Sequence, residues 1–154
     1  MTFPIGSSTL AGTLDTAEGA TGLLIVSGGS EIRSGAFSGQ SLLAARIAEA
    51  GFPVFRFDRR GIGDSDGEDR GFRSSMNDIA AALAAFQAMA PKLDRVIGFG
   101  NCDAASALML GGGVPVDAAG SMVGGVGVSG APSGEMDDAC ARAGIEEVAV
   151  DLAF

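Results

Sequence analysis

Gly100-Asn101-Cys102-Asp103-Ala104 follows the apolar run Asp94 to Phe99 (DRVIGF) and opens an alanine-rich stretch. A nucleophilic side chain with a small residue two places away on either side is the form of a sharp strand-to-helix turn, where larger neighbours would strike the backbone. The nucleophile then stands at the amino end of the following helix. There the backbone N–H of Asp103 can face a developing oxyanion. With cysteine in that place, the positive end of the helix dipole also favours the thiolate. An ordinary buried cysteine at a strand-to-helix turn would leave the same five residues, so the motif takes its weight from what surrounds it.

Upstream, buried strands alternate with amphipathic helices. Gly22 to Ser27 (GLLIVS) is a short apolar run ended by Gly28-Gly29, as in a strand covered on both faces. Leu42, Leu43, Ile47 and several alanines give a helix face across Gly39–Ala50, with Gly51 as its C′ residue and Pro53 beyond. Phe52 to Phe57 (FPVFRF) reads as the next strand, and Met76, Ile79, Ala80, Leu83 and Phe86 recur at helical spacing. Strands and helices in alternation imply a parallel sheet with right-handed crossovers. Thr2–Ile5 and Thr9–Asp15 add an opening hairpin.

Two further motifs accompany the pentapeptide. Gly28-Gly29-Ser30 follows the first apolar strand, and the N–H groups of Gly29 and Ser30 are candidates for a second oxyanion donor. Asp58-Arg59-Arg60-Gly61-Ile62-Gly63-Asp64-Ser65 follows the second strand. Its glycines permit a tight loop beside the site, and its charges, with Asp58, Arg60 and Asp64 foremost, are expected to fix that loop rather than react. Asp103 is a poor base for Cys102, since its adjacent position tends to turn its side chain away from the thiol.

A change of texture comes at Gly111-Gly112-Gly113, a poor helix interior and a natural stop. Residues 1–110 carry 9 basic and 12 acidic side chains, whereas 111–154 carry Arg142 alone against seven acids. Beyond the glycines, Val114–Asp117 and Met122–Ser129 flank Ala118-Ala119-Gly120-Ser121 as a glycine-rich hairpin. Ser133 to Ala143 reads as a short helix with Ser133 as N-cap, acids at Glu135, Asp137 and Asp138 facing solvent, and Gly144 as its stop. Cys140 is expected to pack on that helix, and Glu146, Glu147 and Asp151 to be surface charges. Two domains follow, 1–110 and 111–154. The parallel strands of the first would be left with unprotected edges.

Composition narrows the function classes. Hydrophobic residues make up 47% of the 154 and charged residues 19%, which describes a folded, fairly apolar chain. A net charge of −9 argues against nucleic acid and against an anionic membrane surface. Met1 to Gly6 lacks a signal-peptide pattern, and the apolar run Ala104 to Val116 is too short to span a bilayer. A cytoplasmic location with two free thiols, Cys102 and Cys140, is therefore expected. The chain has no histidine, which removes the usual general base and the commonest metal ligand together. No metal site and no organic cofactor are expected.

The order and spacing of the three motifs resemble the α/β-hydrolase family from its oxyanion loop through its nucleophile elbow, over about Leu10 to Leu110. In detail they are similar to the hydrolases associated with bacterial exosortase systems, which have cysteine followed by aspartate at the elbow. The resemblance implies an acyl hydrolase acting on a small ester or thioester, with Cys102 attacking. It also implies that the acid and histidine of the triad should follow later strands, where this chain turns to its second unit. Residues 111–150 in turn resemble the carboxyl-terminal third of the GlcG/HbpS-like family, small α/β domains that are often oligomeric and some of which bind haem. That resemblance leaves a homo-oligomer open, but without histidine there is no usual ligand for haem iron.

The fold class expected is thus α/β: a partial α/β-hydrolase parallel sheet with flanking helices, then a glycine-rich β-hairpin and a short helix. Three functions stay open. One is hydrolase ancestry with a cysteine nucleophile impaired by the missing histidine. Another is a non-catalytic module for small-molecule binding or assembly, and the third is a nonfunctional chimera.

Overall fold

The computed structural model describes residues 1–110, 113–118, 121–129 and 134–148. Gly111, Gly112, Ala119, Gly120, Ser133 and Asp151, assigned above to the boundary, the hairpin turn, the helix cap and a surface charge, lie outside the described residues. Seven strands are present among those described: β1 (Thr2–Ile5), β2 (Ser8–Asp15), β3 (Thr21–Val26), β4 (Val54–Phe57), β5 (Arg95–Gly100), β6 (Val114–Ala118) and β7 (Ser121–Ser129). Four α-helices accompany them: α1 (Gly39–Glu49), α2 (Met76–Met89), α3 (Asp103–Leu110) and α4 (Gly134–Glu147). The strands form one mixed sheet in the order β1-β2-β4-β3-β5-β7-β6.

At its centre β3 pairs in parallel with β4 on one side and β5 on the other. All three are mostly apolar because both faces are covered, with Arg56 of β4 buried in an ion pair with Asp15. Side chains alternate across the sheet, so Ile25 and Val54 join Ala44 of α1 on one face. Leu24, Val26, Phe55, Phe57 and Val96 join Phe86 of α2 and Ala104 of α3 on the other. Phe55 is the hub of this second face, tilted against Phe3 at 5.7 Å and stacked on Phe86 at 5.6 Å between ring centroids. The opening segment forms the expected hairpin, which carries Phe3 into this core.

Register positions the site. Val26 lies opposite Phe57 on β4 and opposite Gly100 on β5. The three central strands therefore end at one rim, and the chain leaves them side by side at Ser27, Asp58 and Asn101. Ligands in open α/β sheets bind outside such carboxyl ends.

Two expectations are corrected. The parallel strands are not left with open edges: β2 adds antiparallel to β4, and β7 adds antiparallel to β5 from Val96↔Ser129 to Gly100↔Gly125. A glycine-rich hairpin can extend a sheet as readily as it can stand apart, and only the pairing reveals which. Nor does Gly144 stop the last helix, which continues to Glu147. Glycine inside a helix costs only about 1 kcal/mol, and the residues that follow it carry the helix on.

Replacing Phe86, which is fully buried, with alanine is expected to cost about 3–5 kcal/mol in urea denaturation, from lost transfer energy and the cavity left behind. Leu42→Ala on the exposed side of α1 should stay within about 0.5 kcal/mol. Equal costs would contradict the placement of the core on the α2 face.

Candidate active site

Cys102 sits at the turn between β5 and α3 with φ +53°, a left-handed conformation unusual for any residue but glycine. It is exposed, as is Cys140, and both thiols are free. Neither cysteine is the packed residue that the simpler readings of the sequence expected. The turn is tight because Ala104 N–H donates to the Asn101 carbonyl at 3.1 Å, starting α3. Small neighbours are required on both sides of the thiol. A Cβ on Gly100 would lie 3.0 Å from the Ala104 backbone carbon.

The loop after β3 backs directly onto this turn. A Cβ on Gly28 would fall 2.6 Å from the Asn101 carbonyl oxygen and 2.9 Å from the Cys102 Cβ, closer than real side chains approach. Gly28 thereby brings the exposed residues Gly29 and Ser30 beside the elbow. The Gly29 N–H donates to Asp103 Oδ1 at 2.6 Å. The Asp103 carboxylate thus lies on the loop side of the elbow, across a donor that could otherwise face the site. Among the described residues the Cys102 sulfur makes no hydrogen bond.

Arg59 joins these pieces, and sequence reading missed it. Its guanidinium is buried and donates to the Gly29 carbonyl through Nη2, which also lies 3.5 Å from Asp103 Oδ1. Through Nη1 it donates to Ser75 Oγ at 3.0 Å, ahead of α2. One cation therefore ties the loop after β3, the elbow and the start of α2. The first arginine of Asp58-Arg59-Arg60 was visible as a charge next to a strand end, but its partners are 16 to 44 residues away.

The remaining loop residues fall into separate networks. Asp58 is fully buried and accepts from the Arg33 N–H at 2.6 Å, from the Arg33 guanidinium and from the Asp64 N–H at 3.1 Å. Arg33 also reaches the exposed Asp64 at 2.8 Å. Partial burial opposes the Arg33 charge, but hydrogen bonds and charge from Asp64 and Asp58 outweigh it and hold the pKa above its ordinary value. Arg60 is engaged by Asp78, with Nε donating at 2.6 Å. Gly61 and Gly63 take φ of +73° and +54°, and a Cβ on either would collide with Asp69 or Asp58. Asp58, Arg60 and Asp64 thus fix the loop, whereas Gly29, Asp103 and Arg59 surround the elbow.

Two of the cavities among the described residues concern this region. A polar cleft of about 280 Å³ surrounds Arg33, Arg56, Asp58 and Asp64, whose charges are paired. An apolar one of about 260 Å³ lies between α2, α3 and the sheet, lined by Leu24, Ile79, Leu83, Val96, Leu108 and Val128 among others. Cys102 lines neither. No group of histidine, cysteine or carboxylate side chains suited to a metal ion occurs among the described residues, and no described helix is long and apolar enough to cross a membrane.

Backbone strain at the elbow is measurable. A left-handed conformation costs a residue with a Cβ about 1–2 kcal/mol, so Cys102→Gly should be more stable than Cys102→Ala by about 1 kcal/mol in urea denaturation. Gly28→Ala should be destabilised more than either. A Cys102→Ala variant as stable as Cys102→Gly would contradict the turn geometry.

Comparison with known proteins bears on the fold. The fold is similar to the ferulic acid-bound esterase Est1E of Butyrivibrio proteoclasticus, at 20% identity and TM-score 0.62, over 71% of this chain and 45% of that one. An α/β hydrolase of Sphaerobacter thermophilus matches at 26% identity and TM-score 0.57, over 73% of this chain and 39% of its own. The esterase Pf2001 of Pyrococcus furiosus matches at 19% identity and TM-score 0.62, over 73% and 44%. This chain thus spans less than half the length of each of these hydrolases. Residues 71–146 match the family model described as haem degrading protein HbpS-like, a match that begins ahead of α2 rather than at the glycine run. No curated protein matches the sequence. The chain therefore has the α/β-hydrolase fold, with similarity to the HbpS-like family over its carboxyl-terminal part.

Proposed function

We propose that this chain derives from an acyl hydrolase, with Cys102 as the nucleophile, and that it reacts with small activated esters or thioesters slowly and without efficient turnover. The observation that carries this reading is the left-handed, exposed Cys102 between Gly100 and Ala104, backed by Gly28. Strain in a non-glycine residue persists only where surrounding structure imposes it, and it gathers at functional turns.

Magnitude decides how much activity to expect. A positioned general base is worth roughly 10²–10⁴ in rate. Serine without one would be nearly inert, but a thiol at neutral pH is already a few per cent thiolate. Attack forms the C–S bond and expels the alcohol or thiol. Release of the acyl group then needs an activated water, and these 154 residues contain no histidine to activate it. The reading places the chain in the cytoplasm, where both thiols stay reduced. It also divides the chain into a hydrolase-derived part, 1–110, and a second unit, 111–154.

The HbpS-like match favours a second reading, a non-catalytic module that binds a small molecule or assembles with copies of itself. The apolar cavity of about 260 Å³ gives such a ligand a place to sit. The two readings separate with p-nitrophenyl acetate. The first predicts a release of up to one equivalent of p-nitrophenolate, then a far slower phase, with the burst lost in Cys102→Ala. Sustained turnover that survives Cys102→Ala, or no burst at all, would reject it.

A further inference from the structure

We propose that the Asp103 carboxylate plugs the oxyanion site of the elbow and so determines which electrophiles Cys102 attacks. The inference rests on the reading of Cys102 as a nucleophile and deepens it. At an elbow of this kind the oxyanion is met by two N–H groups, one from the residue after the nucleophile and one from the loop after the first parallel strand. Here the residue after the nucleophile is Asp103, and its own side chain takes the Gly29 N–H, one of the loop's two candidate donors, at 2.6 Å to Oδ1. A backbone N–H donating to a carboxylate makes a charge-assisted hydrogen bond, stronger than a neutral one.

Arg59 holds the plug in place. Its buried guanidinium lies 3.5 Å from the same Oδ1, while its hydrogen bonds to the Gly29 carbonyl and Ser75 Oγ fix its direction. An oxyanion forming above Cys102 would therefore lose one donor and meet a carboxylate in its stead. Loss of a single oxyanion donor costs about 10²–10³ in rate.

This penalty is selective. In acylation, the thiolate adds to a carbonyl carbon and pushes an electron pair onto the carbonyl oxygen. The pair returns as the C–O bond of the leaving group breaks, and the thiol proton has gone to solvent. In alkylation, the C–S bond forms as the carbon–halogen bond breaks, the halide leaves with its pair, and no oxyanion develops. Attack on a disulfide likewise places charge only on the departing sulfur. Asp103 thus disfavours esters and thioesters, leaving alkylating agents and disulfides unhindered.

The test uses the full chain carrying Cys140→Ala, so that Cys102 is the one thiol. Acylation by p-nitrophenyl acetate and alkylation by iodoacetamide are timed separately, and their ratio is the readout. Any general change in thiolate population affects both rates, whereas a freed oxyanion site affects only the first. Asp103→Ala is expected to raise the ratio roughly tenfold or more. Asp103→Asn keeps an acceptor for Gly29 but removes the charge, so it should raise the ratio less. A ratio unchanged or lowered in Asp103→Ala would overturn the proposal. Should circular dichroism show that variant unfolded, an Asp103→Asn ratio no higher than the parent's would do the same. If iodoacetamide labels folded Cys102 no faster than the unfolded chain, the nucleophile reading fails, while the ratio still reports on the plug.

Discussion

The close approach of Gly28 to the Asn101–Cys102 turn is the constraint on which the site depends. Because Val26 and Gly100 are paired across β3 and β5, the two chain segments leave the sheet side by side. Any side chain at residue 28 would hold them apart. With none, the loop lies against the elbow, Gly29 reaches the Asp103 carboxylate, and Arg59 closes over both from the loop after β4. The left-handed turn at Cys102 fits inside this frame, with Gly100 and Ala104 leaving room on either side. Sheet register, glycine placement and one buried cation are thus parts of a single arrangement.

Much of it was legible in the residues. Strand runs such as GLLIVS and FPVFRF show themselves by being almost wholly apolar, since a strand covered on both faces has little polar side to display; Arg56 is the exception, paired with Asp15. The elbow shows itself by residue size: Gly100 and Ala104 are small for a steric reason that the structure makes explicit. What could not be read is which distant groups meet. Periodicity assigns faces but not partners. The Asp103–Gly29 and Arg59–Asp103 contacts join residues 74 and 44 apart, and nothing local distinguishes Arg59 from Arg60, which pairs instead with Asp78. Similarly, the hairpin β6–β7 is plain from its glycines, yet its addition to β5 follows from pairing alone.

A strand-to-helix turn carrying an exposed cysteine is assembled here in a sequence with no histidine, and the Asp103 carboxylate beside it is turned toward the Gly29 N–H. Both features act in the same direction. On the proposed reading, the missing base slows release of an acyl group, and the occupied donor slows its capture. Cys102 retains a strained, exposed thiol, and on the proposed reading the groups around it direct its reactivity.

Competition between the two thiols tests the central claim most directly, because both are exposed and free, so exposure alone predicts no preference. The folded chain is treated with substoichiometric iodoacetamide, and the modified peptides are quantified by mass spectrometry. The account predicts that Cys102, at the amino end of α3, is modified well ahead of Cys140 within α4, with the preference vanishing in urea. Equal modification of the two in the folded chain would contradict it.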